Sequence, residues 1–196
     1  ATILIPNNIT LAGAGSGTVI ELADLDVADN LIEATGANRT GQSVQDLKLD
    51  GRDDLNTAGL QNGIYFDAVG DTTTDRPGSS ISNIIAEDFR TFGVYLNNSD
   101  LNIVSGNTVQ SNVSGIAVFS GTENKITNNT SLGNSERGFY VSTAQDNVFI
   151  GNTSRGNTIA GFEIATSSNN IISGNKIHDN GGSTTNDGLY ITGSSD

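Results

Sequence analysis

The sequence contains no cysteine, no methionine and no tryptophan, and it has one histidine and two prolines. Without cysteine there is no disulfide framework, no thiol catalysis and no Cys-ligated metal. A single histidine leaves no Ser-His-Asp constellation. That histidine, His178 in "KIHDN", sits beside Asp179 and shares a repeat position with Gln110, Leu132 and Arg155, so it reads as a solvent-facing corner. Basic residues are also scarce: 9 Lys and Arg stand against 22 Asp and Glu, for a net charge of −13. Neutralising phosphates takes clustered Lys and Arg, so nucleic acid and anionic membrane surfaces are excluded as partners. No apolar run reaches membrane-spanning length, which argues against membrane insertion. No leader-like segment is read at the start, so an export signal is expected to lie outside this chain.

What the sequence does have is 24 glycines and a wealth of Asn, Ser and Thr, with 35% hydrophobic and 16% charged residues. These are periodic. Asn107, Asn129, Asn152 and Asn175 stand 22, 23 and 23 residues apart, and Asn112, Asn134, Asn157 and Asn180 keep the same intervals. So do Asn102, Asn124, Asn147 and Asn170. Val104, Ile126, Phe149 and Ile172 precede the first of these columns by three positions. Later in each unit a glycine opens an alternating apolar segment: "GIYF" at 63, "GVYL" at 93, "GIAV" at 115, "GFYV" at 138, "GFEI" at 161 and "GLYI" at 188. Alternation of that kind marks a short strand with one buried face.

Short strands repeating at this period, with no helical periodicity, predict an all-β right-handed parallel β-helix. Residues 1–196 form one domain of about eight rungs, each of two or three strands of three to five residues. Stacked rungs bring equivalent residues to about 4.8 Å from one another, so the Asn columns become ladders. Asn is expected at these corners for its tolerance of left-handed backbone and its self-complementary amide. The polar stretch "DAVGDTTTDRPGSS" (67–80) is expected to protrude from one rung, and "GGSTTND" (181–187) to form a smaller bulge. Neither end carries an amphipathic cap, so the chain is expected to be part of a longer one, or to associate end to end.

"NNITLAGAGSGTVIEL" and "VQDLKLDGRDD", together with the Asn and Gly repeats, resemble the secreted pectate-lyase-like β-helices. Among these they are similar to the catalytic modules of bacterial mannuronan (alginate) C5-epimerases, from about Ile9 to Ile191. The resemblance implies a secreted or cell-surface protein acting on a polyuronate. In that family a Tyr-Gly-Phe-Asp-Pro-His-Glu run on the Gly-led strand, backed by an Asp on the next rung, moves the C5 proton. Aligned on the shared glycine, this chain has Phe92 for the Tyr, Tyr95 for the Asp, Asn97 for the His and Asn98 for the Glu. Phe119 stands for the next-rung Asp. None of these supplies a base titrating near neutrality, so no catalytic residue is assigned.

The remaining candidates are a binding face and a metal site. Tyr95, Tyr140, Glu163 and Tyr190 are expected in one outward column of the Gly-led strands, with Asn97 and Phe119 in the next, as a surface for polysaccharide. Asp50, Asp53 and Asp54 offer oxygens to a calcium ion, although they lack the D-x-D-x-D-G spacing, and no cofactor is required. "GAGSG" is a tight corner, since no helix follows it. The leading reading is a non-catalytic carbohydrate-associated or structural module. A polyuronate epimerase or lyase is the enzymatic alternative, and a designed or truncated scaffold without ligand the third.

Overall fold

The computed structural model describes residues 2–23, 30–36, 38–55, 59–182 and 188–193. Among the described residues there are 22 strands and no helix. Every third strand in sequence joins the same parallel sheet, giving one sheet of eight strands and two of seven, each in chain order. That is the right-handed parallel β-helix, with about eight rungs. A regular rung runs through a Gly-led strand such as Arg137–Ser142, then Val148–Ile150 in the second sheet and Thr153–Arg155 in the third. Among the described residues seven rungs have three strands and Leu189–Thr192 begins an eighth; in the regular rungs the Gly-led strand is six residues long, longer than expected.

Alternation decides which residues fill the coil. Ile32, Ile64, Val94, Ile116, Phe139 and Phe162 are in register along the Gly-led sheet and point inward. Val44, Ile81, Val104, Ile126 and Phe149 do the same in the second sheet. Phe139 stacks on Phe162 at 4.3 Å between ring centroids, and Phe149 meets both edge-on. Burying each such ring contributes about 1.5–3 kcal/mol.

The asparagines are ladders, and they lie inside the coil. Asn129 accepts at Oδ1 from the backbone N–H of Asn107 (3.0 Å) and from its amide (2.9 Å). Its own amide donates to Asn152 Oδ1 (3.1 Å) and to the Val104 carbonyl (2.9 Å). The other two columns repeat this pattern. One expectation is corrected here: none of the twelve ladder asparagines has left-handed backbone. The residue just before each one does, whether Leu101, Gly106, Ser111, Glu123, Asn128, Gly133, Asp146, Gly151, Gly156, Asn169, Gly174 or Asp179. A left-handed residue turns the chain so that the next side chain points inward and its amide can span two rungs.

The polar stretch at 67–80 is an ordered excursion. Asp71 and Arg76 pair across it, and the Asp71 carboxylate accepts from the Thr73 N–H (2.8 Å), the Thr73 hydroxyl (2.6 Å) and the Thr74 hydroxyl (2.9 Å). These bonds hold its carboxyl at about 2, below the usual range. Residues 183–187 of the expected bulge lie outside the described residues.

Candidate functional site

The outward face of the Gly-led sheet gathers most of the chain's exposed aromatic chemistry. Register fixes the column Glu33, Tyr65, Tyr95, Ala117, Tyr140, Glu163, Tyr190. Beside it runs Asp67, Asn97, Phe119, Ser142, Ala165, Thr192. Tyr95, Asn97, Phe119, Tyr140 and Tyr190 are therefore where the alternation put them. All four tyrosines share the column. Tyr65 is the one the sequence reading missed, although "GIYF" at 63 carries the same signal as its successors.

The rings make contact across rungs. Tyr65 lies 5.1 Å from Tyr95, Tyr95 lies 4.9 Å from Phe92 and 5.1 Å from Phe119, and Phe119 lies 4.9 Å from Tyr140. Phe119 bridges the position where Ala117 leaves no ring, and Ala117 is fully buried. Five half-buried rings thus form a strip over four successive rungs, with their tilted and edge-to-face contacts favoured by the ring quadrupole.

A polar margin borders the strip. The Tyr95 hydroxyl donates to Asn97 Oδ1 (3.2 Å), and the Asn97 amide donates to Asp67 Oδ1 (2.9 Å) and to the Tyr65 hydroxyl (3.3 Å). Burial, followed by the proximity of Tyr65 and Asp67, pushes the Tyr95 phenol up to about 12. Burial and the charge of Asp67 also raise Tyr65. Both phenols stay protonated at neutral pH.

Glu163 is a correction. It was expected as the open position of its column, but it is only 9% exposed. Arg137 reaches across to it, with Nε donating to the Glu163 carboxylate and Nη1 to that of Glu136. The same guanidinium lies over the Tyr140 ring at 4.5 Å, a cation–π contact. Burial alone would lower the Arg137 pKa, but the bond to Glu163 and the surrounding negative charges raise it. Tyr190, 44% exposed, lies beyond Glu163 and outside the ring contacts.

The acidic residues at the other corner assemble differently from the sequence expectation. Carboxylate oxygens of Asp50, Glu87 and Asp88 lie within 4.8 Å of one another, while Asp53 and Asp54 are exposed. Asp50 and Glu87 meet because their strands are paired in the third sheet. Lys48 Nζ lies between them, 3.3 Å from Asp50 and 2.5 Å from Glu87, and its pKa is raised chiefly by the Glu87 bond. Burial, together with Glu87, Asp53 and Asp50, raises Asp88 to about 6.

That shift gives a pH-dependent expectation. The folded pKa of Asp88 exceeds its unfolded value of about 3.9, so folding favours the protonated form. Its stabilising contribution is complete below pH ~4 and is lost as pH rises through about 6. Asp88→Asn, which keeps the shape at a left-handed position (φ 59°), is expected to stabilise the protein at pH 7. The gain should be about 0.5–1 kcal/mol after solvent screening, and should vanish near pH 4. Thermal melts of both proteins across that range check it.

His178 lies in the column of Gln110, Leu132 and Arg155, as expected, with Nδ1 2.9 Å from Asp179 Oδ2.

The fold and the face define a right-handed parallel β-helix with an aromatic strip on its Gly-led sheet. Residues 30–196 match the model of the NosD family, described as periplasmic copper-binding protein, and the chain belongs to that family. A search of curated protein sequences finds no match. Among solved structures, the A-module of mannuronan C-5 epimerase AlgE4 from Azotobacter vinelandii superposes with a TM-score of 0.71 at 21% identity, covering 97% of this chain and 60% of that one. Tailspike protein 2 of bacteriophage CBA120, in its enzymatically active domain, gives 0.71 at 13% identity over 98% of this chain and 36% of its own. The periplasmic alginate epimerase AlgG gives 0.59 at 16% identity, over 84% and 42%. At these identities the likeness is one of fold, and this chain spans 60% or less of each of these proteins.

The family description brings copper, and the donor set of this chain does not fit it. Copper(I) is held by Cys or Met sulfur and copper(II) by imidazoles. The chain has no Cys, no Met and only His178, whose single carboxylate neighbour is on an exposed corner. Among the described residues the one close group of candidate ligands, Asp50, Glu87 and Asp88, offers hard oxygens only.

Proposed function

We propose that this chain is a carbohydrate-binding β-helix module working outside the cytoplasm, with the aromatic strip of the Gly-led sheet as its binding surface and no chemistry of its own. The observation that carries the reading is the unbroken run of Tyr65, Tyr95, Phe92, Phe119 and Tyr140 over four rungs, edged by amide, phenol and carboxylate groups. Sugar rings present apolar faces and a rim of hydroxyls, and such a surface answers both. The extracytoplasmic setting is supported by the family description and by the periplasmic alginate epimerase of like fold.

A polyuronate epimerase or lyase is the second reading, favoured by the fold it shares with the mannuronan epimerase module. Weighing against it, Phe92, Asn97 and Phe119 carry no proton-transfer group, and Tyr95 is pushed up to about 12. Neither reading calls on calcium, and at the Asp50 corner Lys48 Nζ lies between Asp50 and Glu87.

Affinity electrophoresis against a panel of polysaccharides tests the proposal. Phe119→Leu keeps apolar bulk and removes the ring that joins Tyr95 to Tyr140, so it should weaken binding about tenfold, equivalent to ~1.4 kcal/mol. Circular dichroism should remain unchanged. Binding that survives this substitution intact moves the site elsewhere. Formation of unsaturated uronate, or inversion at C5 followed by NMR, would establish the enzymatic reading instead.

A further inference from the structure

We infer that the aromatic face selects glycans that carry no negative charge; the inference rests on the carbohydrate-binding reading above. Among the described strands of the Gly-led sheet, Glu33, Asp67 and Glu163 carry negative charge, and Arg137 is the single positive residue. Arg137 is already engaged by Glu163, Glu136 and the Tyr140 ring, so its charge is spent within the protein. The other two carboxylates, Asp67 and Glu33, are held by neutral donors. Asp67 Oδ1 accepts from the amides of Asn97 (2.9 Å) and Asn98 (3.3 Å), and Glu33 accepts from Asn30 (2.8 Å) and the Thr35 hydroxyl (2.8 Å).

A uronate polymer would bring a carboxylate with every sugar to a face edged by Glu33 and Asp67, on a chain of net charge −13. Repulsion of this kind is strengthened where a low-dielectric aromatic strip excludes water. Hydrogen-bonding capacity points the same way. A carboxylate can only accept, whereas the charged groups of this margin are acceptors only: the second oxygen of Asp67 and the oxygens of Glu33. A sugar hydroxyl both donates and accepts, so it can use these acceptors, and it can also take the phenolic proton of Tyr65, whose oxygen is the atom that Asn97 addresses. The strip follows the coil axis across four rungs, about 14 Å at ~4.8 Å per rung, which suits an extended chain over a single sugar. The fold is shared with the mannuronan C-5 epimerase A-module, but the charge on this face weighs against alginate.

The test is affinity electrophoresis of the whole chain in gels containing hydroxyethylcellulose, a galactomannan, dextran, alginate or polygalacturonate, each at low and high salt. Retardation is expected with at least one of the three uncharged polymers, changing less than twofold with salt, and none is expected with the two polyuronates even at low salt. Stronger retardation by alginate or polygalacturonate than by any uncharged polymer overturns the inference while leaving carbohydrate binding standing. Retardation by none of the five overturns the carbohydrate reading itself. Glu33→Gln combined with Glu136→Gln removes one carboxylate from the face and releases one arm of Arg137. That variant is expected to gain salt-sensitive alginate binding at least fivefold above the parent. A variant as indifferent to alginate as the parent counts against charge as the selecting feature.

Discussion

Asn129→Ala is expected to destabilise the protein by about 3–5 kcal/mol, the sum of several orphaned buried groups at ~1–3 kcal/mol each. The side chain is 1% exposed and joins three rungs. Truncation removes the acceptor for the Asn107 N–H and the donor to the Val104 carbonyl, and it takes away one of the two acceptors of the Asn107 amide and one of the two donors to Asn152 Oδ1. These groups are buried in the coil, with Asn107 1% exposed and Asn152 and Val104 0%. Its neighbour supplies the control. Asn128 is exposed and left-handed (φ 55°), and its role is backbone geometry, so Asn128→Gly should cost less than ~0.5 kcal/mol. Two adjacent asparagines should therefore differ by several kcal/mol in denaturant unfolding. Equal effects would mean that the ladder is not what holds the rungs together.

Asn129→Asp extends the expectation to pH. The acceptor contacts survive, but the carboxylate faces the Val104 carbonyl and the Asn152 oxygen without donors of its own, in a dry interior. Burial should raise its pKa, so the variant is weakest at neutral pH and regains stability as pH falls. A melt series in which it tracks the parent at every pH would refute the burial of that side chain.

Much of this architecture was legible because it is one-dimensional. Every rung repeats the last, so the spacing of Asn107, Asn129 and Asn152 gives the register directly, and the face of Tyr95, Tyr140 and Tyr190 follows from alternation. What the sequence obscured has physical causes. The left-handed corner residue varies from Leu101 to Glu123 to Gly133, because only its backbone is constrained, so attention falls on the constant Asn after it. Glu163 looks exposed by alternation, yet a long Arg137 side chain covers it, and side-chain reach has no period. The meeting of Asp50 with Glu87 and Asp88 was hidden by the 67–80 excursion, which breaks the 22- to 23-residue count just where those strands pair.

The glycine near the start of the later strands of the Gly-led sheet is the second place where a single substitution should be costly. Gly138→Ala is expected to destabilise by about 3–5 kcal/mol, combining overpacking with disrupted hydrogen bonds. A Cβ there would stand 2.1 Å from Ser154 Oγ, 2.6 Å from the Gly161 carbonyl and 2.8 Å from Asn157 Nδ2. These atoms are themselves bonded: Ser154 Oγ donates to the Gly161 carbonyl (2.9 Å) and accepts from the Asn157 amide (3.0 Å). The serine could swing away only by abandoning both, and the carbonyl belongs to the next rung's backbone. Gly138 is thus required for space and not for backbone freedom, since its φ is not positive. Gly133 is the reverse case, with φ +61° and nothing near a Cβ, so Gly133→Asn should cost less than ~1 kcal/mol. At about 2–4 °C per kcal/mol for a chain of this size, the first substitution should lower the melting temperature by roughly 6–20 °C and the second by only a few degrees at most. Because each rung contacts only its neighbours, the damage from Gly138→Ala should centre on the Tyr140 rung and reach the aromatic strip. Loss of glycan retardation in that variant at temperatures where circular dichroism still reports a folded coil would tie the strip's geometry to the packing beneath it.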